Sequence, residues 1–213
     1  MKKLVIAATL LVAFSMLAST GAVAEPTHPN EVGLYTTPDG YGATGTTVIG
    51  AGVYVYLVLT KPTDVNNGGV PFSTVNAFEA TLRFDPVPNN NLFLLYAGLP
   101  PFSVDIGPRK DINGGYLDYI VGIDLNNPVL VTDESVVLVT FQFLNVNVGV
   151  TNVYLEPTTA TGIAGEMAFL SISGQLDIMH PISGSHDAPV FTFNGEAVVV
   201  ENDSWGSVKS LYR

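Results

Sequence analysis

The stretch that most limits what this chain can fold into is VNAFEATLRFDP, residues 75–86. Phe78, Ala80, Leu82 and Phe84 fall on one side of an extended chain, and Ala77, Glu79, Thr81, Arg83 and Asp85 on the other. That period of two predicts an antiparallel strand with one face in a core and one in solvent. Asp85-Pro86 ends it. The same period recurs in GVYVYLVLT, 52–60, where Val53, Val55, Leu57 and Leu59 alternate with Tyr54, Tyr56, Val58 and Thr60. Both of its faces are largely apolar, which predicts a central strand.

Further strands are predicted in EVGLYTT, NLFLLYAG, FSVDIG, YLDYIVGI and TNVYLEP, with SVVLVTFQFLNV, 135–146, the longest. EMAFLSISGQLDIMH reads as two short strands around Gly174, and APVFTFNGEAVVVE as a hairpin through Asn194-Gly195. The total is about ten strands, parted by turn residues and with no helical period until the end of the chain. The expected fold is therefore all-β, a single β-sandwich. The polar outer positions Glu79, Thr81, Arg83 and Asp85 argue against the lipid-facing apolar band of a membrane barrel.

The N-terminus reads as a secretory signal peptide, residues 1–24. MKK is the basic start, LVIAATLLVAFSMLAS the apolar run, and Ala22 and Ala24 form a small-x-small cleavage site before Glu25. Residues 25–45, rich in Pro, Gly and Thr, are expected to be a flexible lead-in with one short strand. The sandwich is assigned to 46–202. The last stretch, 203–213, is expected to be a short amphipathic helix capped by Asp203 or Ser204. Trp205, Val208 and Tyr212 share its apolar face, and Lys209 and Arg213 suit its C-terminal dipole. It either docks on the sandwich or serves as a sorting element read by an export or assembly partner.

Acidic residues number 19 against 8 basic ones, a net charge of −11. A chain so poor in cations lacks the electrostatic footprint for nucleic acid or anionic lipid. There is no cysteine, which removes thiol catalysis, thiolate metal sites and the lipidated cysteine of a lipoprotein. Secretion as a soluble protein, with no membrane span after signal cleavage, is the expected destination.

Catalytic signatures are few. The histidines are His28, His180 and His186, and Ser185-His186-Asp187 are adjacent rather than convergent, so they read as a polar turn. No cofactor is expected, with weak Ca2+ binding the one exception considered. Its candidates are Asp64 and Asn66 in TDVNNGG, and Asp111 and Asn113 in DINGGYLD. The second begins like an EF-hand loop but has Tyr116 where that loop needs glycine. Binding candidates are the strand tyrosines Tyr54, Tyr56, Tyr116 and Tyr119, either as an aromatic strip for a polysaccharide or as ordinary strand packing.

The order GVYVYLVLT, VNAFEATLRFDP, NLFLLYAG, VVLVTFQFLNVNVG and VTNVYLEP resembles that of cohesin modules, jelly-roll relatives of several carbohydrate-binding modules. The similarity covers roughly residues 46–156 and is most specific in Phe78-x-x-x-Leu82-x-Phe84-Asp85-Pro86. It implies a jelly-roll sandwich whose sheet face binds dockerin, a small calcium-loaded helical module. The ending WGSVKSLYR resembles that of secreted bacterial proteins, which implies export. The expected function is thus a non-catalytic secreted recognition or assembly module, binding a protein partner or polysaccharide through a sheet face or loops. The alternative is a cell-surface or matrix protein that self-assembles, and a secreted hydrolase comes last.

Overall fold

The computed structural model describes residues 28–171 and 173–195. The expected signal peptide with Ala22 and Ala24, the second arm of the hairpin after Gly195, and the expected tail helix with Trp205, Val208, Lys209, Tyr212 and Arg213 lie outside the described residues.

The described chain forms β1 (Glu31–Tyr35), β2 (Gly45–Thr46), β3 (Gly52–Thr60), β4 (Thr63–Asp64), β5 (Val70–Pro71) and β6 (Thr74–Val75). Next come β7 (Ala77–Asp85), β8 (Leu92–Gly98), β9 (Ser103–Asp105), β10 (Lys110–Asp111) and β11 (Tyr116–Ile123). Then follow β12 (Val129–Leu130), β13 (Ser135–Asn145), β14 (Thr151–Glu156), β15 (Met167–Leu170), β16 (Leu176–Pro181) and β17 (Phe191–Phe193). The one helical piece among them is a 3-10 turn, Val65–Asn67.

Two layers result. In the first, β3 lies between β1 and β13, and β8 pairs with the free side of β13. The central placement expected for 52–60 holds for a physical reason: Leu57, Val58 and Leu59 are all fully buried. In the second layer β7 is the axis. It pairs with β11 along one side, from Arg83↔Tyr116 to Ala77↔Gly122, and with β14 and β15 along the other. β16 is the seam, because its first four residues pair with β15 and its last two pair in parallel with β1.

The layers meet through aromatic side chains. Phe84 packs edge-on to Phe143 at 6.2 Å between ring centres, Tyr119 to Phe141 at 5.7 Å, and Phe143 to Phe193 at 5.3 Å. These rings fill an apolar interior of the all-β sandwich that the periodicity predicts.

Three details go beyond or differ from the sequence reading. β1 is the one short strand expected within 25–45, but it is built into the sandwich, with all five of its residues buried between β16 and β3. Glu79 and Thr81 are not solvated: Thr81 is fully buried and Glu79 nearly so. Loops cause this, since Gly162 N–H donates to Glu79 Oε1 at 2.6 Å and the 106–110 segment runs beside β11. Finally, Tyr119 is a core residue, 2% exposed, because it shares the inward parity of Leu117 and Val121.

Candidate functional site

The outer face of β3, β13 and β8 carries an aromatic surface whose rows follow from strand register. Gly52, Leu144 and Phe93 form one row, Tyr54, Gln142 and Tyr96 the next, and Tyr56, Thr140 and Gly98 the third. None of these nine positions is charged. Tyr54 is 50% exposed and Tyr96 55%, with Phe93 also open to solvent. Neighbouring strands are about 4.8 Å apart, so Tyr54 and Tyr96 stand about 10 Å from each other with the Gln142 amide between them.

Two glycines shape this face. A Cβ at Gly98 would collide with the Tyr96 ring, which lies back over it, and a Cβ at Gly52 would stand 2.8 Å from Gln142 Nε2. Beyond Gly98 the face opens into a cleft of about 550 Å³ lined by Tyr96, Thr140, Pro101, Phe102 and Asn127. A neutral surface of phenols, one amide and one hydroxyl can stack and hydrogen-bond.

The outer face of the second layer is different, because its charges satisfy one another. Arg109 grips the fully buried Asp118 with Nε at 2.8 Å and Nη2 at 2.9 Å, and Thr81 Oγ1 adds a bond at 2.8 Å. Burial alone would push the Asp118 carboxyl up, but the hydrogen bonds from Arg109 and Thr81 hold it below the usual carboxylate range. The Arg109 guanidinium also stacks on Tyr116 at 4.1 Å. Arg83 pairs with Glu156 and lies over Tyr154 at 4.0 Å, while Lys110 pairs with Asp105 at 2.6 Å.

The tyrosines chosen from sequence are therefore not gathered in one place. Tyr54 and Tyr56 lie on the neutral face, Tyr116 lies on the opposite outer face beneath Arg109, and Tyr119 is in the core with burial raising its phenol pKa. Sequence reasoning missed Phe93, Tyr96 and Gln142. Their strands were visible, but only the cross-strand register places them beside Tyr54.

The polar candidates are accounted for locally. His186 Nδ1 donates to the Leu155 carbonyl at 2.7 Å, and Ser185 Oγ accepts from the Asp187 amide at 3.1 Å, so these three residues hold a turn. Asp111 Oδ1 accepts from the Asn113 amide at 2.9 Å in the loop joining β10 to β11. Asp64 caps the 3-10 turn by accepting from the Asn67 amide at 2.9 Å, and Asn66 is exposed. Among the described residues no group of three or more His, Cys, Asp or Glu is placed to hold a metal ion. No described helix is long and apolar enough to cross a membrane.

The chain is thus an all-β sandwich with a neutral aromatic face. No family model matches it, and no curated protein matches it. Solved structures of similar strand arrangement include cohesin modules. One is the sixth cohesin of scaffoldin B from Acetivibrio cellulolyticus, solved with a dockerin, at 11% identity over 78% of this chain and 99% of that one, TM-score 0.47. Another is a type I cohesin in complex with dockerin from Clostridium thermocellum, at 8% identity over 78% of this chain and 96% of that one, TM-score 0.48. A non-cellulosomal cohesin from the archaeon Archaeoglobus fulgidus matches at 10% identity over 83% of this chain and 97% of that one, TM-score 0.43. At such identities no binding residue transfers.

Proposed function

We propose that this chain is a non-catalytic recognition module that docks a protein partner on the outer face of β3, β13 and β8. The observation behind the reading is the row Tyr54–Gln142–Tyr96, open to solvent on an uncharged face of a chain with net charge −11. Solvent-exposed tyrosines on a flat surface are the side chains that dominate binding energy when they become buried in a complex. Export by residues 1–24 would place this face outside the cell, where its partner would be met.

The spacing of the row favours polysaccharide as the second reading. Two exposed tyrosines on strands about 10 Å apart, with an amide on the strand between them, suit a neutral sugar chain laid across the strands.

The test is capture from the native secretome, with a dockerin module and an insoluble polysaccharide as separate probes. Changing both Tyr54 and Tyr96 to alanine is expected to weaken capture at least about tenfold, as for two hot-spot residues, with the urea unfolding midpoint unchanged. Full capture by the double variant would sink the proposal, and retention on the polysaccharide alone would select the second reading.

A further inference from the structure

The described residues end at Gly195, at a place that strand pairing defines. A hairpin through Asn194-Gly195 would return along an edge of β17, but neither edge is free. Thr192 and Phe193 pair with Asn152 and Thr151 of β14 on one side, and with Gly45 and Thr46 of β2 on the other. A returning arm needs those same residues for its own ladder. Residues 196–200 must therefore go elsewhere.

Asn194 fixes the point from which they set out. Its side chain donates to the carbonyls of Asn147 at 2.5 Å and Gly149 at 2.9 Å, and accepts from Asn145 Nδ2 at 2.7 Å. Asn145 Nδ2 also donates to the Val48 carbonyl at 3.1 Å. This asparagine pair gathers two loops, 47–51 and 146–150, beside the chain exit. They read TVIGA and VNVGV, with no charged residue in either. Val148 is 74% exposed, and Val48, Ile49, Val146 and Val150 lie between 43% and 47%. A Cβ on Gly195 would stand 3.2 Å from Val150 Cγ1, so the exit already touches the cluster. Single exposed apolar residues are ordinary, but five on two adjoining loops make a patch that calls for a cover.

We infer that the run AVVV, residues 197–200, is that cover: it packs on Val48, Ile49, Val146, Val148 and Val150 and closes this end of the sandwich. The chemistry matches, since both surfaces are uncharged and aliphatic, and Glu196 and Glu201 on either side of the run stay in water. The reach matches too. Five residues beyond Gly195 span up to about 17 Å, and each of the five apolar residues is, or adjoins, a member of the Asn145–Asn194 network. A segment tethered two residues from the patch is present at a far higher effective concentration than a second copy or a separate partner.

The experiment uses the chain of residues 25–213 with its valine and isoleucine methyl groups labelled for NMR. Nuclear Overhauser cross-peaks are expected between the methyls of Val198, Val199 or Val200 and those of the five-residue cluster. A filtered mixture of labelled and unlabelled chains retains only contacts between copies, and there the cross-peaks are expected to vanish. Changing Val198, Val199 and Val200 together to serine is expected to lower Tm by about 6–12 °C, as for three half-covered valines in a domain of this size. Val148→Ser is expected to lower Tm by about 2–4 °C in the parent, yet to leave it unchanged in the triple-serine chain, where the cover is already lost. Absence of the cross-peaks in the parent would overturn the inference. Cross-peaks that persist in the filtered mixture would overturn it in favour of a second copy. An equal loss from Val148→Ser in both backgrounds would also overturn it, by showing that the loop packs on something other than the valine run.

Discussion

Asp118 is a carboxylate with no solvent exposure on a strand face that sequence alone would leave wet. Its partners are Arg109 and Thr81, and Lys110 Nζ donates to its carbonyl. Because its folded pKa is lowered, the stabilisation it contributes is complete above the unfolded value, near pH 4, and is lost as pH falls through the folded value. The urea midpoint of the parent is therefore expected to fall on acidification below about pH 4 more steeply than that of Asp118→Asn. The difference between the two curves is the readout, since other acids titrate in both proteins; parallel curves would refute it. At pH 7, Arg109→Ala is expected to cost about 3–5 kcal/mol, because it strands a buried charge. The alternation in YLDYIVGI predicts that Asp118 and Asp124 share a face. It does not reveal that Arg109 folds over the first, while the second sits in an exposed turn capping Asn126 and Asn127. Parity along a strand is legible in the sequence; what a neighbouring loop lays over it is not.

At the scale of elements, the strands themselves were legible because period two survives wherever one face is apolar. β3, β7, β11 and β13 begin and end within a residue or two of the positions read from sequence. Their pairing was not, and the candidate site depends on pairing. β8 brings Tyr96 to Gln142 only because β13 accepts it on the side away from β3, with a register shift between Gln142 and Phe143. Gly98 then supplies the space into which the Tyr96 ring leans. A methyl group at that position must push the ring away, and the ring is the free end of an exposed side chain. Gly98→Ala is thus expected to leave stability within about 0.5 kcal/mol of the parent, yet to shift the Tyr96 ring signals in an NMR spectrum and weaken partner capture. A large loss of stability instead would show that the strand backbone, not the ring, gives way.

For the molecule as a whole, the sandwich closes through a strand that composition hides. Residues 25–45 are rich in Pro, Gly and Thr, and that richness reads as a flexible lead-in with one short strand. Yet Val32, Leu34 and Tyr35 are at most 1% exposed, and β1 is paired on both sides, with β16 in parallel and with β3 antiparallel. β16 in turn reaches back to β15 in the other layer, so β1 sits where the two sheets are joined. The strand itself is legible in EVGLYTT, but five residues between turns give too few alternations to show that both of its edges are paired and all of its residues buried. Each large apolar side chain removed from a core costs about 2–5 kcal/mol, and three of them approach the whole stability of a typical domain, about 5–15 kcal/mol. A chain beginning at Thr37 is therefore expected to lose its cooperative urea transition and its near-ultraviolet circular dichroism, while one beginning at Thr27 keeps both. A cooperative transition in the shorter chain would mean that β3 and β16 can close the sandwich without β1.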